Sequence, residues 1–176
     1  MCYNPINRLC TIIIRTSPHL ILIAWKAVII MKTTTIRPLE DHVCFSTYTT
    51  VHAIQRLYQP TLTAHRLTYP QYLVLVALYA TPPRAVTVKT LSTQLNLSTG
   101  TLTPVLQRMT QAGLITRHRN PQDERSILLT LTPQGTATRL ALNDLPDLLT
   151  AKGGLNQSEW AQLTQLMTKL MTNLTR

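Results

Sequence analysis

One change of period constrains this chain more than any other feature. Between residues 88 and 109 the apolar side chains recur at three- and four-residue steps, the spacing that lines one face of a helix. Beyond Gly113 the spacing drops to two, with Ile127, Leu129 and Leu131 alternating against polar neighbours. The later stretch reads as two short strands, 114–119 and 126–131, around the polar turn NPQDER. Ahead of it, VKTLSTQLN and LTPVLQRMTQAG read as two helices joined by the tight polar turn LSTG. Helix, tight turn, helix, hairpin is the order of a winged helix-turn-helix, so the expected fold is mainly α with a small β-hairpin wing.

The flanks are helical. Val43, Cys44, Tyr48, Val51, Ile54, Leu57 and Tyr58 fall on one stripe of a helix over about 40–63. Thr68 opens a second helix with Pro70 in its first turn, where the missing N–H costs nothing. Its run YLVLVALYA is apolar on all sides and predicts the central core helix, ended by Pro82 and Pro83. Thr87 caps the third helix, which buries Val88, Leu91 and Leu95 and stops near Asn96. Pro104 must lie in the first turn of the fourth helix or kink it, and Gly113 terminates that helix. Thr132-Pro133 launches a fifth helix running to about 150. Gly153-Gly154 break the chain, and Asn156 with Glu159 opens the last helix by a capping box. The apolar face of that helix is Trp160, Leu163, Met167, Leu170 and Leu174. Residues 67–132 are thus the winged module. The helices of 40–66 and 133–176 exceed what such a module needs and suit a dimerisation layer, which would present two reading heads to two half-sites.

Charge narrows the partner. Seventeen Lys and Arg against seven Asp and Glu leave a formal +10, yet only 14% of residues are charged, so the excess comes from scarce acids. It favours a polyanion, nucleic acid or an anionic membrane. A chain of 176 residues is too short for a (β/α)₈ barrel enzyme. Cys2, Cys10 and Cys44 form no Cys-x-x-Cys pair, and the five histidines have no ligand spacing, so neither a metal nor another cofactor is expected. Residues 1–31 contain no acid and carry the apolar run HLILIAWKAVIIM. No small-x-small cleavage pattern follows it, and Pro18 and Lys26 interrupt it as a membrane span. The reading taken is that Met31 is the start and residues 1–30 are upstream sequence; without Arg8, Arg15 and Lys26 the charge is still +7.

With Leu102, Val105, Leu106 and Met109 turned inward, Ser98, Thr99, Thr101, Thr103, Gln107 and Arg108 are left to face a DNA groove. Residues 84–125 hold six bases, Arg84, Lys89, Arg108, Arg117, Arg119 and Arg125, against Asp123 and Glu124. A lone cysteine on an apolar stripe is by default inert. Cys44, however, sits in the first turn of its helix, where the dipole favours thiolate against the opposing Glu40 and Asp41. Tyr48 is one turn away on the same face. Tyr58, 14 residues on, is about 21 Å along the same helix, so it meets a Cys44 only in an antiparallel second copy.

The stretches CFSTYTTVHAIQRLYQP (44–60), LTYPQYLVLVALY (67–79) and VKTLSTQLNLSTGTLTPVLQRMTQAGLITRHRNPQDERSILLTLT (88–132) resemble the MarR family of winged-helix regulators. More narrowly they resemble its organic-hydroperoxide-sensing, OhrR-type branch, through Cys44 with Tyr58 and Tyr69. The resemblance runs from about residue 40 to the end. It implies a cytoplasmic homodimeric repressor of a double-stranded DNA operator, with no stable membrane association. It implies that Arg125 enters the minor groove, oriented by a salt bridge from Asp123; Arg117 and Arg119, counted among the six bases, are expected DNA contacts beside them. It implies that Tyr58 and Tyr69 of one subunit approach Cys44 of the other, and that an organic hydroperoxide oxidises that cysteine to sulfenic acid and releases the DNA. Members with a resolving cysteine carry it near the chain end; here Leu149 and its neighbours stand there, so a small external thiol would form the lasting mixed disulfide. Two other readings remain: a MarR-type repressor released by a small aromatic acid bound among Tyr48, Tyr58, Tyr69 and Tyr72, and a thiol peroxidase acting through Cys44. The missing resolving cysteine and the lack of an Arg or Thr partner set weigh against an enzyme. A membrane-surface role for residues 8–31 is the remaining alternative for the basic amino terminus.

Overall fold

The computed structural model describes residues 37–81, 85–121 and 123–175. The expectations for residues 1–31, Cys2 and Cys10 among them, and those for Pro82, Pro83 and Arg84 lie outside the described residues. The chain divides into two compact units, Met1–Thr49 and Thr50–Arg176. Of the first, the described part is a single 3-10 turn, Leu39–Asp41, and the opening turns of helix α1, Val43–Ala64.

In the second unit, α1 buries Tyr58 and Leu62 and ends by a hydrogen-bonded reversal. Arg66 takes a left-handed φ of 56°, and the Leu67 N–H reaches back to the Leu62 carbonyl at 2.9 Å, which satisfies a carbonyl the helix end would orphan. Thr68 then caps α2, Tyr69–Ala80, in a full capping box: the Gln71 side-chain oxygen accepts the Thr68 N–H at 2.8 Å. This explains how Gln71 is tolerated in the interior. Val74, Leu75 and Leu78 are fully enclosed, as expected for the central helix, and α2 packs against α3 (Val88–Leu95), α4 (Thr99–Gln111), α5 (Pro133–Ala141) and the sheet.

Three departures from the sequence reading concern the fourth helix and the wing. Pro104 is the sixth residue of α4, in its second turn, so the Gly100 carbonyl receives no helical N–H from it. The wing has three strands rather than two: β1 (Ala85–Thr87), β2 (Ile115–Asn120) and β3 (Asp123–Leu131), all antiparallel in the order β1-β3-β2. The turn is also tighter than NPQDER, since β3 already starts at Asp123. Asn120 pairs with Asp123 but Arg119 pairs with Ile127, so residues 124–126 bulge out of the ladder. Val86 of β1 and Leu129 of β3 are paired and buried, which ties the segment before α3 to the wing.

Gly113 closes α4 at φ +69°, its N–H bonding Thr110 and the next N–H, of Leu114, bonding Met109. Thr132 joins this reversal to the next helix: its hydroxyl donates to the Gly113 carbonyl at 2.6 Å and accepts the Gly135 N–H at 2.9 Å. The expected single helix over 133–150 is in fact two, α5 (Pro133–Ala141) and α6 (Leu145–Gly153). Pro146 is the reason: inside one continuous helix it would lack the N–H owed to Leu142, so it occupies the first turn of a new helix instead. Gly154, at φ +70°, ends α6, and the Asn156–Glu159 capping box starts α7, Gln157–Leu174. The third helix buries only Leu91 fully; Val88 and Leu95 are half-buried against the core. Along α7 no residue is buried in the protomer, and Leu163, Leu166, Met167, Leu170, Met171 and Leu174 are exposed. Among the described residues no helix is long and apolar enough to cross a membrane.

Candidate DNA interface and tyrosine cluster

Helix α4 has the two faces a reading helix needs. Leu102, Leu106 and Met109 are buried and Val105 packs on the core, while Ser98, Thr99, Thr101, Thr103, Gln107 and Arg108 are all exposed. The exposed hydroxyls differ in what they have left to offer. Ser98 caps the helix by accepting the Thr101 N–H at 3.1 Å, and its oxygen lies 2.8 Å from the Thr101 hydroxyl. Thr103 donates to the Thr99 carbonyl at 2.7 Å, which leaves its oxygen as an acceptor only. The side chains with the longest reach on this face are therefore Gln107 and Arg108.

The wing is braced from within. The Thr116 and Thr130 hydroxyls meet across the strands at 2.6 Å, His118 reaches Thr116 at 2.9 Å, and the Asn120 amide donates to Ser126 at 3.0 Å. Arg117, Arg119, Asp123 and Arg125 are exposed on it. The hydrogen bond between Asp123 and Arg125 runs to the backbone: Arg125 N–H donates to Asp123 Oδ1 at 3.1 Å. The carboxylate thus fixes the chain at Arg125, where the resemblance implies a side-chain salt bridge.

A second constellation lies where α1 meets α2. The rings of Tyr58, Tyr69 and Tyr72 contact one another pairwise, with centroids 5.9 to 6.2 Å apart and Tyr72 edge-on to Tyr58. Tyr58 is 4% exposed and Tyr72 5%. Burial, with added repulsion from Tyr72 and Tyr69, pushes the Tyr58 phenol up to about 12. Burial also raises Tyr69 and Tyr72; at Tyr72 the Arg139 guanidinium opposes the rise. All three are accordingly neutral hydrogen-bond donors at ordinary pH. Cys44 and Tyr48 are exposed on the first turns of α1, in the other compact unit.

Sequence reasoning placed Tyr72 only in the alternative ligand site; its position three residues after Tyr69 on α2 is the signal for the cluster. It did not find Arg139, whose guanidinium lies 5.6 Å over the Tyr79 ring and whose buried Nε has no hydrogen-bond partner. Nor did it find β1. Among the described residues no group of three His, Cys, Asp or Glu side chains is placed to hold a metal.

Known proteins share this architecture. Residues 67–127 match the MarR family model. The chain is 40% identical over 136 residues to the organic hydroperoxide resistance transcriptional regulator of Bacillus subtilis, covering 77% of this chain and 89% of that protein. It is 36% identical to the HTH-type transcriptional regulator MgrA of Staphylococcus aureus, over 76% of this chain and 90% of that one. The structure of reduced AbfR bound to DNA superposes with a TM-score of 0.63 at 28% identity, covering 78% of this chain and 95% of AbfR. The inward and outward faces of α4, the braced wing and this similarity along most of the chain lead to one conclusion: the protein belongs to the MarR family of transcriptional regulators.

Proposed function

We propose that the protein is a homodimeric, cytoplasmic repressor that holds its DNA operator through α4 and the wing and releases it when an organic hydroperoxide oxidises Cys44. The observation that carries the sensing half of this reading is the tyrosine cluster. Two buried phenols that stay protonated, Tyr58 and Tyr72, stand with Tyr69 on a chain 40% identical to an organic hydroperoxide resistance regulator. In the dimer, Tyr58 and Tyr69 of one subunit donate hydrogen bonds to the Cys44 thiolate of the other, with Tyr48 beside that sulfur. The thiolate attacks the outer peroxide oxygen, the O–O bond breaks, and sulfur is oxidised by two electrons to Cys44–SOH as the hydroperoxide is reduced to its alkoxide. A neighbouring phenol protonates the alkoxide to the alcohol and recovers its proton from solvent. A small thiol then condenses with the sulfenic acid, forming the mixed disulfide and water. The new polar group at a packed interface shifts the helices and with them the wings.

The dimer half of the reading is supported by surface that one protomer leaves uncovered. The face of α7 is apolar and exposed, and beside it a cleft of about 450 Å³ is lined by Ile54, Leu57, Leu149, Leu155, Trp160 and Leu163. Packing against a second copy of the same helices would cover both. Operator binding tests the proposal: the wild type protects DNA flanking its own gene, loses that protection on treatment with cumene hydroperoxide, and recovers it with a reducing thiol. A Cys44→Ser protein that still releases DNA on the same treatment refutes it.

A further inference from the structure

Three cationic side chains converge on a cleft that the sequence reading did not anticipate. It has a volume of about 450 Å³ and lies between the first turn of α3 (Thr87, Val88, Lys89), the start of α4 (Thr99) and the wing (Arg117, Asp123, Arg125, Ser126, Ile127). Strand alternation explains why Arg117 is there. It shares a face of β2 with Ile115, which is buried, and pairs with Leu129, also buried, so it projects on the core side of the sheet but beyond the edge of the core. β1 holds Thr87 against Leu128, which brings Lys89 to the same place. Among the described residues that line the cleft the one acid, Asp123, already accepts the Arg125 N–H, so those residues carry two net positive charges and an engaged carboxylate.

We infer that this cleft seats a phosphodiester of the DNA backbone, and that Lys89 is a DNA contact alongside Arg117 and Arg125. The inference rests on the DNA-binding reading above. A helix in the major groove and a wing on the adjoining minor groove must straddle the sugar-phosphate strand that separates the two grooves. The strand has to pass between α4 and the wing, and this cleft is the space between them. One phosphate there lies within the cleft that Lys89 and the two wing arginines line. Such a contact reads no base. It sets how far the wing stands from the helix on the duplex.

Lys89 is exposed, so its substitution leaves the core intact. Binding is measured against salt concentration on two duplexes of equal length, one from DNA flanking the gene and one scrambled. Lys89→Gln weakens both duplexes by the same factor, and Lys89→Arg restores the wild-type affinity. Because two cations still neutralise the shared phosphate in Lys89→Gln, the full loss of slope of log K against log salt comes only with the Lys89→Gln, Arg117→Gln, Arg125→Gln triple variant. That variant lowers the slope by about 1 per bound protomer, the worth of one phosphate, rather than about 3. Unchanged affinity for Lys89→Gln, a loss confined to the gene-flanking duplex, or a triple-variant drop near 3 overturns the shared phosphate and leaves the DNA reading standing. A wild type without salt-dependent affinity for either duplex overturns the DNA reading itself.

Discussion

Raising the pH should loosen this protein through Tyr58. The phenol is enclosed by its own helix and by Tyr69 and Tyr72, and it is held at about 12 where an ordinary tyrosine ionises at 10.0. Below pH 10 the folded and unfolded chains both keep the proton, and Tyr58 makes stability no more or less dependent on pH. Between about pH 10 and 12 the unfolded chain has released the proton and the folded chain has not. The unfolded state then binds fewer protons, and stability falls as pH rises. Carried through to pH 12, the difference corresponds to about 3 kcal/mol, an upper figure because a buried phenolate draws in water as it forms. Tyr58→Phe keeps the ring packing and removes the titration. Urea unfolding of both proteins across this range should therefore give a wild-type advantage that is constant up to about pH 10 and shrinks by up to about 3 kcal/mol above it. Phenolate absorbance of the folded protein supplies an independent reading, with the Tyr58 step displaced above the ordinary tyrosine range. A Tyr58 step near pH 10, or parallel pH profiles for the two proteins, refutes the argument. The result bears on the proposed sensing role as well, because only a phenol that keeps its proton can donate to a thiolate.

Two further outcomes follow from packing. A methyl group at Gly135 would run into the Leu114 carbonyl and crowd Leu131, at a point where Thr132 anchors the chain; Gly135→Ala should cost about 1–3 kcal/mol and lower Tm by several degrees, and an unchanged Tm contradicts the close approach. Leu166→Glu with Leu170→Glu alters only exposed positions of α7, so on the proposed homodimer sedimentation should show dissociation to single chains; a variant that dimerises as tightly as the wild type removes α7 from the proposed interface.

Helix boundaries were legible in the sequence because the groups that settle them are neighbours in the chain. Thr68 with Gln71, Thr87 with Thr90, Thr132 with Gly135 and Asn156 with Glu159 each close a hydrogen bond over three residues, and Gly113 reverses α4 by bonds that span no more than five. The break between α5 and α6 has a local signal too, in Asn143-Asp144 and Pro146, which the expectation of one helix over 133–150 leaves unused. The third strand had none. Ala-Val-Thr is too short to show a period, and it is a strand only because Leu128 to Thr130, more than forty residues later, present an unpaired edge. The same separation hid the neighbourhood of Lys89, which in sequence is one of six bases counted between residues 84 and 125. In the fold it lines one cleft with Arg117 of β2 and Arg125 of the bulged part of β3.

Amino-acid order alone therefore established the class of fold, the inward face of α4 and the polar residues left exposed on its other face, since periodicity and caps act within a few residues. Tertiary structure decided which distant groups share a space. Tyr58, Tyr69 and Tyr72 form one low-dielectric cluster, and burial there holds the Tyr58 phenol near 12. Lys89, Arg117 and Arg125 line one cleft. Both depend on side chains brought together by strand register and helix packing, and those distances are set by the whole core rather than by any stretch of chain.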